Sequence, residues 1–255
     1  MSRVALVTGA ARGIGAETVR RLAADNWAVV AVDCCADDPD LPYPLGTRGQ
    51  LEALREAGEV TTLIADARAC QEIVAFTERT YGGLDAALAV AGVIAGGAPL
   101  WEMPAGQIDA VLATDLHAVI ALARAAVPAL LRRPEPRNGR FLAVASAAAT
   151  RGLPMLAAYC AAKAGVTGLV RALAVELGGT GITANAVSPG STDTPMLVES
   201  ARLYGLPGAA SFAAQQPIGR LLSPREVAAA LVWLAGEGAG AITGAVIPVD
   251  GGLGV

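Results

Sequence analysis

The stretch VTGAARGIGAE, residues 7–17, decides the fold. Its three glycines, Gly9, Gly13 and Gly15, lie between an apolar strand pattern and the start of a helical pattern. Glycine at such a turn lets backbone amides approach a pyrophosphate, and the N-terminus of the following helix adds partial positive charge. The stretch therefore predicts a phosphate-binding turn of a dinucleotide site, in which Arg12 and Ile14 also take part.

Apolar strand patterns alternate with longer helical patterns along the rest of the chain. Strands are predicted near residues 4–8, 27–33, 59–65, 84–91, 139–146, 181–188 and 244–249. Helices are predicted near residues 14–25, 48–57, 69–81, 104–133, 157–177 and 224–235. Continuously apolar strands are typical of a parallel sheet covered on both faces. The predicted fold class is α/β: a Rossmann fold with a doubly wound, mostly parallel seven-stranded sheet and helices on both faces.

Composition limits the classes of partner. The net charge of −4 provides no basic surface for nucleic acid. No uncharged apolar run reaches the ~20 residues that span a membrane, so we expect no membrane segment. Hydrophobic residues make up 54% of the chain, which favours a homo-oligomer. No repeat or linker divides the sequence, so one domain is expected over residues 1–255.

The cysteines and the single histidine indicate which cellular compartment and which metal chemistry to expect. The four cysteines lack CxxC spacing, and MSR leads directly into the first strand. These features predict a cytoplasmic protein with reduced thiols and without a signal peptide. His117 is the single histidine, which argues against a His-rich metal site, so no metal is expected.

Asp33 ends the second predicted strand, eighteen residues after Gly15. A carboxylate at this position accepts hydrogen bonds from the adenosine ribose hydroxyls and repels a 2′-phosphate. No lysine or arginine follows Asp33 directly, so NAD is favoured over NADP. Asp66, at the end of the third strand, has two interpretations: it contacts adenine, or it caps the next helix.

Three polar residues suggest acid–base chemistry. Tyr159 and Lys163 lie four residues apart at the start of a predicted helix, and Ser146 ends the strand RFLAVAS. A neighbouring ammonium favours the phenolate, which is expected to lower the pKa of Tyr159. A serine hydrolase is the alternative, but the sequence has no G-x-S-x-G and no histidine near Ser146. Hydride transfer between an alcohol and a carbonyl compound is therefore expected.

Four motifs, TGAARGIG, Ser146 with YCAAK, NAVSPG (185–190) and PVDGG (248–252), resemble those of the short-chain dehydrogenase/reductase family over essentially the whole chain. The resemblance implies that Tyr159 is the general acid/base, that Ser146 orients the substrate, and that Lys163 binds the nicotinamide ribose. It also implies a homotetramer. The further cofactor contacts that it implies are Ala91, Gly92, Pro189, Gly190, Thr192 and Thr194.

Two positions depart from the family pattern. The family's NNAG is here AVAG, with Val90 in place of an asparagine that supports the central sheet. Asp115 stands where the family usually has the asparagine of a proton relay. A carboxylate accepts hydrogen bonds from water or Lys163 but cannot donate as an amide does. Asp115 is therefore counted with the candidate catalytic residues, and its part in a relay stays open.

A Pro-rich insertion, residues 34–46, follows Asp33, where such loops usually have about 2–6 residues. One interpretation is a lid over the adenosine half of the cofactor, with Leu41, Tyr43 and Leu45 as apolar contacts. The other is a surface loop or an oligomer contact. DxCADDPxLPYPL resembles the mycofactocin-associated branch of the family, which implies tightly held NAD that is reoxidised by an external redox carrier.

Residues 191–220 are expected to form a mobile substrate loop. The apolar side chains available to line a pocket are Leu153, Met155, Met196, Leu197, Leu203, Tyr204 and Phe212. They favour a small, apolar alcohol or ketone, although Arg151 and Arg202 leave a carboxylate clamp open. Two alternative functions are left open: an ordinary NAD(P)H-dependent carbonyl reductase with exchangeable cofactor, and a non-enzymatic nucleotide sensor.

Overall fold

Seven strands lie side by side in one sheet. The computed structural model describes residues 2–255. Its strands are β1 (Val4–Thr8), β2 (Ala28–Asp33), β3 (Val60–Ile64), β4 (Ala86–Ala89), β5 (Arg140–Val144), β6 (Thr183–Pro189) and β7 (Val246–Val249). They are ordered β3-β2-β1-β4-β5-β6-β7, and each neighbouring pair is parallel. The predicted Rossmann fold is confirmed, with a sheet that is parallel throughout the described chain.

Helices connect the strands on both faces. They are α1 (Gly13–Ala24), α2 (Arg48–Glu52), α3 (Cys70–Tyr81), α4 (Ala105–Leu112), α5 (Ala118–Leu131), α6 (Ala157–Glu176), α7 (Pro195–Leu203) and α8 (Pro224–Ala235). A π turn, Ala113–His117, joins α4 to α5, so that Ala105–Leu131 is one continuous helix. The helix predicted near 104–133 is therefore present, but the sequence did not indicate its wider turn, which contains Asp115.

Alternate residues of each strand pack into two separate cores. In β1, Leu6 faces a core built with α3, α5 and α6. Its neighbours Ala5 and Val7 face the opposite core, to which α1 and α8 contribute. Each strand supplies apolar residues to both cores because strand side chains alternate between the two faces of the sheet. The polar residues of the site lie outside these cores, at the ends of the strands.

Two helices are long and apolar enough to cross a membrane by length and composition. They are Ala105–Leu131 and Ala157–Glu176, in which 50% and 44% of the apolar window is buried. Both supply side chains to the core beneath α3, among them Leu122 and Val166. Packing against the sheet accounts for their apolar composition.

Capping boxes begin two of the helices. The Thr47 side chain accepts a hydrogen bond from the backbone of Gln50 at the start of α2, and Ser223 and Glu226 cap α8 reciprocally. Helix α7 lies inside the expected substrate loop and is absent from the helices predicted from the sequence. Its signal was Thr194 followed by proline, since the Thr194 hydroxyl caps α7 by accepting from the Leu197 amide.

A close backbone contact holds the turn after β1. A Cβ added at Gly15 would lie 2.0 Å from the Gly9 carbonyl oxygen, whereas one added at Gly168 in α6 would meet nothing within 4 Å. We expect Gly15→Ala to lower the free energy of unfolding by about 1–3 kcal/mol through overpacking. Gly168→Ala should raise it by about 0.5–1 kcal/mol, since alanine is the better helix former. Urea denaturation of the two variants measures both effects, and a Gly15→Ala protein as stable as the parent would contradict the contact.

Candidate active site

A cavity of about 520 Å³ opens at the carboxyl ends of the strands. It runs between the turn after β1, the insertion after β2 and the loop after β4. The sequence-predicted cofactor residues that line it are Gly9, Arg12, Gly13, Ile14, Gly15, Asp33, Asp66, Ala91, Gly92 and Thr194. The location agrees with the rule that open α/β sheets bind ligands where the strand order reverses, here between β1 and β4.

The start of α1 suits a pyrophosphate. Arg12 occupies the cap position but makes no side-chain cap bond, and the first turn holds no acidic residue. The amides of Gly13, Ile14 and Gly15 therefore face the cavity without a capping side chain. Such free amides, with the positive end of the helix dipole behind them, form an anion site.

The guanidinium of Arg12 points to the insertion. Its Nη1 donates to the Pro44 carbonyl oxygen at 2.7 Å, and its Cζ lies 6.0 Å from the centre of the Tyr43 ring. This arginine fastens the insertion to the turn after β1, and the expectation that it assists a phosphate stays a prediction.

Asp33 lies on the wall of the cavity, at the end of β2. Its Oδ2 accepts from the Ala11 amide and its Oδ1 from the Cys35 amide, both at 3.0 Å. These two bonds hold the carboxylate at the cavity wall and leave further lone pairs for hydroxyl donors. A Cβ at Gly46 would lie 3.0 Å from Asp33 Oδ1, so the insertion also ends against this carboxylate.

Asp66 is held by Arg68. The Arg68 amide and Nε donate to Asp66 Oδ1 at 2.8 and 2.9 Å, and these contacts keep the pKa of Asp66 below its ordinary value. Helix α3 begins at Cys70 with Ala69 as its uncapped start. The helix-capping interpretation of Asp66 is therefore wrong, and the adenine contact stays a prediction.

The predicted catalytic side chains come together behind the cavity wall. Tyr159 and Lys163 lie on α6, with 8% and 3% of their surface exposed. The Lys163 Nζ donates to the Val144 carbonyl oxygen at 3.1 Å and lies 5.6 Å from the centre of the Tyr159 ring. Ser146 follows β5, its hydroxyl accepts from the Ala148 amide at 3.1 Å, and its nearness to the Tyr159 phenol favours the phenolate. The sheet edge and one helix face thus assemble the Ser-Tyr-Lys group.

The pKa of Tyr159 is raised above its ordinary value. Burial is the main cause, the charge of Asp115 adds to it, and Ser146 opposes them by favouring the phenolate. The expectation that Lys163 lowers this pKa is wrong for this structure. Its ammonium is turned toward the Val144 carbonyl and Asp115, so it does not offset the desolvation of the phenol.

Asp115 is fully buried in the π turn. Its Oδ1 accepts from the Val93 amide at 2.8 Å and lies 3.9 Å from Lys163 Nζ. Its Oδ2 has no hydrogen-bond partner among the described residues. Burial raises the pKa of Asp115 to about 6, although Lys163 and the Val93 amide favour the charged form.

The insertion lines one side of the cavity. Its residues on the cavity wall are Cys34, Ala36, Asp37, Asp38, Pro39, Asp40, Leu45 and Gly46. The Leu45 amide donates to Asp37 Oδ1 at 2.7 Å, which closes the segment on itself. On the far side, Asp40 abuts Gly106 in α4. The segment therefore bridges β2 and α4 over the space between them.

Two apolar side chains of the insertion reach the catalytic end. Leu41 and Tyr43 are buried in one cluster with Val93, Ile94 and Tyr159. The Ile94 amide donates to the Tyr43 hydroxyl at 2.9 Å. The insertion thus extends beyond the adenosine half, to which the sequence analysis confined it. Nothing in its sequence could reveal the Ile94 bond, which joins segments 51 residues apart.

The segment 191–220 is built around α7. Met196, Leu203 and Tyr204 pack against the cluster that contains Tyr159, as does Leu153. Tyr204 donates to the Pro154 carbonyl oxygen at 2.9 Å, and its ring meets Phe212 edge to face at 6.2 Å. Leu197 and Met155 are partly exposed.

Three predicted nicotinamide contacts lie away from the cavity wall. Pro189 and Thr192 are buried, and Thr192 donates to the Gly190 carbonyl oxygen at 3.1 Å. A Cβ at Gly190 would lie 2.4 Å from Gln216 Oε1, so this glycine permits close packing against the C-terminal part of the chain. Their contacts with a cofactor stay predictions.

Thr8, which the sequence did not single out, has a structural role where Val90 replaces the family's asparagine. The amides of Val90 and Ala91 donate to the Thr8 hydroxyl at 3.2 and 3.4 Å. Thr8 therefore ties the end of β1 to the end of β4, and Val90 itself packs into the core beside α1.

Comparison with known proteins places this site in a family. The family model described as enoyl-(acyl carrier protein) reductase matches residues 9–254. The cis-4-hydroxycyclohexanecarboxylate dehydrogenase of Sinomonas cyclohexanicum is 38% identical over 256 residues, covering 98% of this chain and 96% of the relative. The chain belongs to the short-chain dehydrogenase/reductase family.

Solved structures with NAD have the same fold. Carveol dehydrogenase from Mycobacterium avium in complex with NAD superposes with a TM-score of 0.92 at 30% identity, covering 98% of this chain and 97% of that one. A short-chain dehydrogenase from Mycobacterium paratuberculosis bound to NAD gives 0.87 at 27% identity, covering 99% and 97%. The protein is an NAD-dependent oxidoreductase that acts on CH–OH groups, and its uncapped α1 and its Asp33 fit that cofactor.

The charge of Asp33 should set the cofactor preference. We expect Asp33→Asn to narrow the preference for NAD over NADP by about fivefold or more, since like charges ~4 Å apart repel by about 1 kcal/mol even in water. Asp25→Asn, an exposed change at the end of α1, is the matched control and should leave the preference unchanged. Calorimetric dissociation constants for NAD and NADP, on protein freed of nucleotide, provide the measurement. An Asp33→Asn protein with the parent's full preference would contradict this role.

Proposed function

We propose that the protein interconverts a small, mainly apolar alcohol and its ketone or aldehyde, with an NAD that stays bound between turnovers and is reoxidised by an external redox carrier such as mycofactocin. The observation that carries this proposal is the insertion 34–46, which lines the cavity at Asp33 and also packs in the cluster around Tyr159. An ordinary reductase that exchanges its cofactor does not need a segment that spans both ends of the site.

The chemistry rests on three side chains. Tyr159 exchanges a proton with the substrate oxygen, Ser146 holds that oxygen beside the phenol, and Lys163 provides positive charge on the same face of α6. NAD, when bound, supplies the hydride acceptor. Burial of Tyr159 keeps water from the reacting oxygen and makes its charge depend strongly on the few groups around it.

Retention of the cofactor rests on the anchors of the insertion. Arg12 holds Pro44, Tyr43 binds the Ile94 amide, and Asp37 closes the segment on Leu45. Dissociation of a dinucleotide would require at least the first two bonds to break and Leu41 and Tyr43 to leave an apolar cluster. The prolines of the segment leave little chain entropy to gain on opening.

The pocket wall favours an apolar substrate. The two arginines considered as carboxylate clamps are engaged elsewhere: Arg202 pairs with Glu199, and Arg151 donates to the Leu253 carbonyl oxygen. The relatives named for carveol and for cis-4-hydroxycyclohexanecarboxylate are in keeping with an alcohol substrate.

We further propose a cytoplasmic homotetramer. Trp233 on α8 and Val175 on α6 are exposed apolar side chains on helix surfaces, at 53% and 82%. Contact between subunits would remove them from water.

Loss of the phenol hydroxyl tests the acid–base assignment. Tyr159→Phe should lower kcat for alcohol oxidation by about 10²–10⁴-fold, because no other group replaces the proton donor and acceptor. Tyr81→Phe removes a phenol at the end of α3 that bonds only with Thr61, and should keep full activity. Steady-state kinetics with unchanged circular dichroism provide the check. Full activity of Tyr159→Phe would overturn the assignment.

The amount of NAD bound per chain measures cofactor retention directly. Freshly purified protein, once denatured, should release about one NAD per chain. Tyr43→Phe removes the bond to the Ile94 amide, worth about 1 kcal/mol, and should speed exchange of labelled NAD about fivefold. Tyr81→Phe again serves as the control. Little bound nucleotide and fast exchange in the parent protein would favour the ordinary carbonyl reductase, while NAD binding without any oxidoreductase activity would favour the sensor.

A further inference from the structure

The phenol of Tyr43, in the insertion, uses only part of its hydrogen-bonding capacity. Its oxygen accepts from the Ile94 amide at 2.9 Å, but no group among residues 2–255 accepts the phenol's own proton. The side chain is 9% exposed, so bulk water has little access to it. A buried donor without an acceptor is unfavourable, and the position therefore favours a ligand that brings an acceptor.

The carboxylates near this phenol do not take its proton. Burial raises the pKa of Tyr43 to about 12, and the charges of Asp115 and Glu199 add to the effect. Asp115 accepts from the Val93 amide instead, and Glu199 pairs with Arg202 at 2.6 Å. Tyr43 therefore keeps its proton at neutral pH and stays a hydrogen-bond donor.

Tyr43 also borders a second cavity, of about 380 Å³, between the insertion and the start of α7. The residues that line it are Arg12, Tyr43, Pro44, Asp193, Thr194, Pro195, Val198 and Glu199. Arg12, Thr194 and Pro195 line the larger cavity as well, so the two spaces adjoin. Because Tyr43 and Tyr159 are buried in one cluster, a molecule held at Tyr159 has Tyr43 as its neighbour on the side of the insertion.

We propose that the Tyr43 hydroxyl donates a hydrogen bond to a second oxygen of the substrate, remote from the carbon that is oxidised or reduced. Tyr43 is then a specificity-determining residue. The substrate class narrows to mainly apolar alcohols and ketones with one further ether, hydroxyl or carbonyl oxygen. This inference rests on the proposed function and deepens it, because it assigns the contact at the far end of the same substrate.

The charges on the wall of the second cavity favour an uncharged acceptor. Asp193 is exposed at its rim and Glu199 is buried in its wall. The one cation among the lining residues, Arg12, donates to the Pro44 carbonyl oxygen. A carboxylate on the substrate would approach two like charges, whereas a neutral oxygen meets the phenol proton without that repulsion.

Matched ketones test the proposal on the parent protein with oxidised NAD in excess. 4-Methoxycyclohexanone and 4-ethylcyclohexanone have nearly the same shape and differ in one ether oxygen. Oxidised NAD has no hydride to give a ketone, so calorimetry measures binding alone. The methoxy ketone should bind about fivefold more tightly, as one hydrogen bond predicts. The corresponding 3-substituted pair places the ether oxygen at a second distance from the reacting carbon.

Tyr43→Phe keeps the ring and removes the hydroxyl, so it should abolish the preference for the methoxy ketone. Loss of the bond to the Ile94 amide affects both ketones of a pair alike and cancels in their ratio. Tyr81→Phe is the matched control and should keep the parent's ratio, since its phenol bonds with Thr61. A preference that persists in Tyr43→Phe would overturn the proposal. So would a parent protein that binds neither pair, or that favours the ether oxygen in neither.

Turnover of the corresponding alcohols gives a second measurement. Because the contact is remote from the reacting carbon, Tyr43→Phe should raise KM for the methoxy alcohol relative to the ethyl alcohol and leave the ratio of their kcat values unchanged. The binding ratio needs no turnover, so its failure is distinct from that of the proposed function, which fails if the parent protein oxidises no alcohol.

Discussion

The structure depends on a parallel sheet that is buried on both faces. Because every strand runs in the same direction, every carboxyl end meets at one edge, and the order β3-β2-β1-β4-β5-β6-β7 opens a crevice between the segments that follow β1 and β4. Thr8 fastens these two strand ends through the Val90 and Ala91 amides. The phosphate turn and the catalytic cluster therefore have a fixed separation, set by backbone spacing and not by flexible side chains.

The insertion 34–46 also lies at that edge of the sheet, beside the cavity. It begins at Asp33, ends at the capping box of α2, and passes over the cavity between those points. Its apolar residues Leu41 and Tyr43 are buried within the same chain. A purely surface loop does not account for that burial. The segment shares one apolar cluster with Tyr159, so the proposed cofactor retention and the proposed substrate pocket depend on the same side chains.

Burial gives the carboxylates of the site different chemistry. Asp33 is held by two backbone amides at the cavity wall and serves as an acceptor. Asp115, enclosed in the π turn with one free oxygen, has a pKa raised to about 6 and acts on Tyr159 and Lys163 together. The same residue type thus accepts backbone hydrogen bonds at the cavity wall in one place and is fully buried with a raised pKa in the other. Local desolvation and hydrogen bonding decide between the two.

The sequence by itself determined the order of strands and helices, the phosphate turn and the positions of Ser146, Tyr159 and Lys163. These follow from periodicity, capping residues and short spacings, which act locally along the chain. It left the insertion after Asp33 with two interpretations, a lid or a surface loop or oligomer contact, and did not indicate its reach to Ile94. Only the tertiary structure decided that reach, the diversion of Arg12 to Pro44, the engagement of Asp66 by Arg68 and the raised pKa of Tyr159. Each of these depends on contacts or burial that the linear pattern does not specify, because desolvation and pairing are properties of the packed surroundings.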